Sequence, residues 1–145
     1  MTGLDYLQAM VAGKRPGAPL ASLLSIRLVE ARHGYVRLEG VAEERYTNPA
    51  GTIHGGWTAT LLDSAAALAA YSTLPAGKTS TTADLHLHCL RPIAPDGGVL
   101  TGEGSVIHAG RTLILAQSRV VDGTGRLLAH ATSTCMVLDL KERSR

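Results

Sequence analysis

Asp63 is the only charged residue between Gly55 and Leu74. The run Gly55-Gly56-Trp57-Thr58-Ala59-Thr60-Leu61-Leu62-Asp63-Ser64-Ala65-Ala66-Ala67-Leu68-Ala69-Ala70 has no polar face. A helix apolar all round is normally buried all round. Burying an unpaired carboxylate is costly, so Asp63 is expected to have a partner or a chemical task. A carboxylate against an apolar wall can act as a base or as a nucleophile. His54, nine residues earlier, opens the same helix with Gly55 and Gly56. The first N–H groups of a helix have no intrahelical partner, and the helix dipole adds partial positive charge there. Glycine lets a ligand approach that backbone without a Cβ in the way. These residues are the parts needed to polarise a carbonyl and attack it. Asn48, six residues before His54, lies in the loop leading into the helix, where it could fix a water or an acyl oxygen.

Spacing sets a constraint on how these parts combine. Eight residues separate Gly55 from Asp63, about 12 Å along a helix axis. An oxyanion donor and its base or nucleophile must both lie within about 3 Å of the reacting group. One helix therefore cannot supply both to one carbonyl. If both act, Gly55 of one chain must face Asp63 of another across a two-fold axis, giving two sites per dimer, each built from both chains.

The elements that must position these residues can be read along the chain. Gly3 to Ala12 is an amphipathic helix, followed by a Pro- and Gly-broken loop from Gly13 to Pro19. Leu24–Ala31 and Tyr35–Val41 alternate as strands around a His33-Gly34 turn. Glu43 to Thr52 is an irregular connection. The single long helix runs from about His54 to Thr73 and stops at Leu74-Pro75-Ala76-Gly77. Four strands follow: Thr79–Leu90, Val99–His108, Arg111–Val121 and Arg126–Leu138, with a charged tail from Lys141 to Arg145. One helix cannot cover six strands unless the sheet curls around it. Such a sheet leaves open edges that pairing with a second copy would protect. The chain of 145 residues is read as one α+β domain, with residues 1–20 as an N-terminal helix and loop.

Composition excludes other classes. Net charge is +2, no basic run exceeds two residues, aromatics are 3% and Phe is absent. That is no footprint for nucleic acid, either by charge or by base stacking. The small positive charge would help a polyanionic ligand approach only weakly. No apolar stretch is suited to a bilayer and the N-terminus does not resemble a signal peptide, so the expected place is the cytoplasm. Cys89 and Cys135 are read as small buried hydrophobes in a reducing interior. His86 and His88 share a strand face with Asp84, but without a third strong ligand cluster they are read as a polar sheet face and no metal is expected. Gly102-Glu103-Gly104 and Gly123-Thr124-Gly125 precede no helix and are not phosphate loops.

The string Asn48-Pro49-Ala50-Gly51-Thr52-Ile53-His54-Gly55-Gly56, with Ala59-Thr60-Leu61-Leu62-Asp63 after it, resembles the hotdog-fold acyl-CoA thioesterases. It is closest to their phenylacetic-acid-degradation (PaaI-type) subgroup. Thr81-Thr82-Ala83-Asp84-Leu85, Leu90-Arg91-Pro92 and His108-Ala109-Gly110-Arg111 match that subgroup too. The resemblance covers roughly Leu24 to Leu138, and the first twenty residues add little to it. It implies a curved antiparallel sheet of about six strands wrapped around one central helix. It also implies hydrolysis of acyl-CoA thioesters, small or aromatic acyl groups favoured, without any cofactor beyond the coenzyme A of the substrate. By position, Asp63 attacks the thioester or activates water, and the Gly55 N–H polarises the carbonyl. Asn48 orients water or the acyl group, and His54 helps place the loop and the thioester. Thr82 would assist from the partner chain, although strict alternation puts it on the face of Asp84, His86 and His88. Gly56 belongs to the substrate-binding backbone, and Arg91 and Arg111 are candidates for the coenzyme A phosphates. A homodimer is the implied minimum unit and a homotetramer the expected assembly.

Two other functions are weighed against this one. A hydroxyacyl dehydratase of the same fold usually carries a His-Phe-Pro segment before the helix, and this chain has no Phe. A non-catalytic acyl-CoA sensor would be expected to lack the acid or to carry a DNA-binding extension. Asp63 is present, and the short N-terminal segment has no room for such a unit.

Overall fold

The computed structural model describes residues 1–140, and the charged tail Lys141 to Arg145 lies outside the described residues. The chain begins with helix α1 (Gly3–Val11), capped by a Thr2–Asp5 capping box, in which each partner satisfies an otherwise orphaned N–H of the first turn. A short helix α2 (Pro19–Leu23) follows. Strands β1 (Ile26–Arg32) and β2 (Tyr35–Val41) form an antiparallel pair. A 3₁₀ turn at Glu44–Tyr46 leads into helix α3 (Gly55–Tyr71). Strands β3 (Lys78–Cys89), β4 (Val99–Ala109), β5 (Leu113–Val121) and β6 (Leu127–Asp139) complete the fold.

The six strands form one antiparallel sheet in the order β1-β2-β4-β5-β6-β3, so β1 and β3 are its edges. The sheet wraps α3, whose Leu61, Leu62, Ala65, Ala66, Ala69 and Ala70 are wholly buried. The fit is close because the facing strands carry glycine. A Cβ on Gly104 would lie 2.0 Å from the Ala65 carbonyl oxygen. The Gly-Glu-Gly run in β4 is thus a seat for the helix backbone, with Glu103 between the two glycines paired to Arg119 at 2.7 Å. Trp57 fixes the start of α3: its ring stacks on Tyr46 and its Nε1–H donates to the Leu24 carbonyl at 3.0 Å.

The helix is not buried all round, contrary to the reading of its sequence. Ala59, Thr60, Asp63, Ser64, Ala67, Leu68 and Tyr71 are only half-buried, and Gly55 and Gly56 are exposed. These positions recur at three- and four-residue spacing, so they form one stripe along α3. Ala and Leu on both faces hid that stripe in the sequence. α1 packs over the far end of the helix: the Gly3 N–H donates to the Leu74 carbonyl at 3.0 Å, Tyr6 meets Tyr71 edge-to-face, and Leu7 is fully buried. The sequence reading of Cys89 as buried is also corrected: Cys135 is buried but Cys89, near the end of edge strand β3, is exposed. Burial raises the Cys135 thiol pKa above its usual value.

Candidate active site

Two groups of residues lie on the open stripe of α3, one at its start and one midway. At the start, the Asn48 side chain organises the loop before the helix. Its Oδ1 accepts from the Ala50 and Thr52 N–H groups at 2.9 and 3.3 Å, and its Nδ2 donates to Thr52 Oγ1 at 2.9 Å. This is an Asx-type turn. One Nδ2 proton remains free of these bonds. His54 is the N-cap of α3. Its Nδ1 accepts from the Gly56 N–H at 2.8 Å, and its own N–H donates to the Tyr46 carbonyl at 2.8 Å. A Cβ on Gly56 would lie 2.9 Å from that Nδ1, so Gly56 is glycine to let His54 cap the helix. Its N–H is thereby taken up by the cap.

Gly55 differs from its neighbour. A Cβ there would meet nothing within 4 Å, and its N–H has no acceptor among the described residues. Nothing in its own chain requires glycine at this position. A cavity of about 270 Å³ adjoins it, lined by Asn48, Gly55, Thr58, Cys89, Arg91 and Leu128 among others. Thr58 went unremarked in the sequence: it is 2% exposed and lines this cavity. Only its place one turn beyond Gly55 could have marked it.

Midway along the helix, Asp63 Oδ1 accepts a hydrogen bond from Thr82 Oγ1 at 2.8 Å. Oδ2 has no partner among the described residues. This contact settles the face of Thr82, which rested on whether β3 bulges. Strict alternation placed it on the face of Asp84, His86 and His88, but the register shifts between Thr82 and Asp84, where β3 bulges against β6. An extra residue in a strand reverses the side-chain alternation across it. Thr82 therefore points inward, opposite buried Cys135, while Asp84 accepts from the Thr134 N–H at 2.9 Å. Thr82 thereby reaches Asp63 of its own chain. A second cavity, about 360 Å³, has Asp63 on its wall.

The two arginines lie apart. Arg91 adjoins the Gly55 cavity just beyond β3. Arg111 sits in the turn between β4 and β5, at the strand end nearer Thr82, because Ile114 pairs with Cys135 and Cys135 with Thr82. The span of β3 between these ends, Thr82 to Cys89, is roughly 20 Å. Within one chain, Gly55 and Asp63 remain about 12 Å apart as well.

The family model for the thioesterase superfamily matches residues 50–129, a stretch that contains the His54–Gly55 start, Asp63 and Thr82. The chain belongs to the thioesterase superfamily. It is similar to human acyl-coenzyme A thioesterase 13, with 34% identity over 110 residues covering 75% of this chain and 77% of the relative. It is similar to a Halobacterium salinarum protein that bears the name "Putative esterase", 34% identical over 83% of each chain. Among solved structures, a phenylacetic acid degradation-related protein of Ralstonia eutropha superposes with a TM-score of 0.82 at 29% identity, covering 90% of this chain and 98% of the other. The Escherichia coli PaaI protein shares the fold with a TM-score of 0.82 at 19% identity. The protein is therefore a thioester hydrolase with the hotdog fold of that superfamily. Among the described residues no helix is long and apolar enough to cross a membrane.

Proposed function

We propose that this thioesterase hydrolyses acyl-coenzyme A esters at sites shared between two copies of the chain. Asp63 carries the attack and the Gly55 N–H polarises the thioester carbonyl. The observation that carries this reading is the contrast along α3. Gly55 offers an unused N–H beside open space, and Asp63 offers an unused oxygen whose orientation the Thr82 hydroxyl fixes. Both lie on the stripe that the sheet does not cover. An oxyanion donor preset in this way stabilises the charge that develops on the carbonyl oxygen. Asp63 Oδ2 acts as base towards water or as the nucleophile itself. The thiolate leaves readily, so a strong general acid is not needed.

Edge strand β3 supports the two-chain arrangement. It is twelve residues long, lies at the sheet margin and is half-exposed through most of its length. An unpaired edge of that length invites a second strand. Pairing it antiparallel with its copy would turn the two α3 helices head to tail. Gly55, Asn48 and Arg91 of one chain would then share an end with Asp63, Thr82 and Arg111 of the other. The arginines would be placed to meet the phosphates of coenzyme A, and the remaining Nδ2 proton of Asn48 to orient water or the acyl oxygen. Leu113, Leu115, Met136 and Leu138 expose an apolar strip on the outer sheet face, which a second dimer would cover in a homotetramer.

Thiol release from a panel of acetyl-, hexanoyl-, palmitoyl-, benzoyl- and phenylacetyl-coenzyme A tests the reading. Wild type is expected to turn over, with Asp63→Asn slower by about a thousandfold in kcat, in the range for loss of a general base. The variant should still bind coenzyme A. Full turnover by Asp63→Asn would end this assignment, and coenzyme A binding without turnover by wild type would favour a sensor.

A further inference from the structure

The cavity on the Asp63 side of α3 is walled by a part of the chain that precedes the matched family region. Met10 of α1, Ala21 of α2, Leu28 and Leu38 of the first hairpin, and Ala67 and Leu68 of α3 enclose about 360 Å³. Two charged residues reach this space. One is Arg27, whose guanidinium is held by Glu39 at 3.1 Å. The other is Asp63 itself. The wall is tied in place at the end of α2. The Leu23 carbonyl accepts from the Tyr46 hydroxyl, and the Leu24 carbonyl from Trp57 Nε1, both at 3.0 Å.

We propose that this cavity seats the acyl group of the thioester and that the α1–α2 segment sets the largest acyl group accepted. The proposal rests on the thioesterase reading of Asp63 given above. A carbonyl held at Asp63 would leave its acyl substituent beside an apolar wall. A cavity of about 150 Å³ is enough for benzene. This one therefore has room for an aryl ring with a short link to the carbonyl, or for a linear chain of medium length. Met10 can shift to fit either shape, since its side chain is unbranched and flexible. A long chain such as palmitoyl would have to displace α2. Filling the space from either wall should then discriminate by acyl size.

The test is kcat/KM for acetyl-, octanoyl- and phenylacetyl-coenzyme A with wild type, Ala21→Phe and Ala67→Leu, each checked for an unchanged melting profile. Each methylene seated in an apolar site is worth roughly a fourfold gain. The octanoyl-to-acetyl and phenylacetyl-to-acetyl ratios are expected to fall at least tenfold in both variants. Equal changes for all three substrates, or none, in both folded variants would overturn the proposal. A wild type that hydrolyses no thioester would instead defeat the thioesterase assignment. The pocket is then judged by titration with ketone analogues carrying a methylene between carbonyl and sulfur. Tighter binding of the octanoyl than the acetyl analogue, lost in Ala21→Phe, would uphold it, and equal binding would overturn it.

Discussion

Gly104 and Gly55 are the same residue type, one on β4 packed against α3 and the other the first residue of α3. Gly104 is glycine because the α3 backbone leaves no room, with 2.0 Å from a would-be Cβ to the Ala65 oxygen. Gly55 has open space around it and an N–H with no acceptor among the described residues. The first holds the helix in the sheet, and the second leaves the helix end free for another molecule. On the proposed reading, the buried face of α3 carries stability, and the open stripe with Gly55 and Asp63 carries chemistry. A residue's type alone does not say which task it has, because the surroundings decide what its missing side chain is for.

Substitutions on the two faces should separate these tasks. Gly104→Ala forces a methyl into a backbone carbonyl, and overpacking of that kind costs about 3 kcal/mol. A urea melt should show the loss, and any thioesterase activity that remains should keep its KM. An unchanged melt would mean that α3 is not seated on β4 as described. Gly55→Ala should do the reverse. Its melt should be unchanged or raised by up to about 1 kcal/mol, since Ala favours a helix over Gly. Its kcat/KM should fall about a hundredfold, because the new methyl group holds the thioester carbonyl away from an N–H that is still present, an effect as large as loss of an oxyanion donor. Normal turnover by this variant would remove Gly55 from the site. Mixing Gly55→Ala with Asp63→Asn subunits should restore activity in hybrids, where one intact site is assembled from the two chains. No recovery after proven subunit exchange would point to a site within one chain.

The smallest effect is expected far from the stripe. Hydrogen bonds from Ser25 and Arg45 hold the Glu43 carboxyl below its ordinary pKa. A lowered folded-state pKa adds stability above the unfolded value, and that stability is lost as pH falls through the folded value. Glu43→Gln should therefore melt slightly earlier than wild type at neutral pH, with the difference closing in acid. A gap that widened on acidification would reverse the sign of that linkage. Activity per folded molecule should not change, because Glu43 belongs to neither end of the site.

The sequence by itself determined the succession of six strands around one long helix and the candidate pair Asp63 and Gly55, while helix α2 (Pro19–Leu23) went unread and α3 ends at Tyr71, short of the expected Thr73. The strands and the pair follow from local signals: period-two alternation in β2, turn residues at His33-Gly34, and a lone carboxylate among alanines and leucines. It also implied the two-chain site, because helix rise alone separates the pair. Only the tertiary structure decided which face of α3 stays open, since an Ala-rich helix looks alike from every side and the sheet chooses the face. The turn of Thr82 towards Asp63 depends on a bulge against β6, which alternation within β3 cannot reveal. The purpose of Gly104 is set by a helix nearly forty residues earlier in the chain. The N-terminal segment carries little signal of its own. Its part in walling the Asp63 cavity comes from hydrogen bonds to Tyr46 and Trp57, and contacts so distant in sequence leave no local pattern.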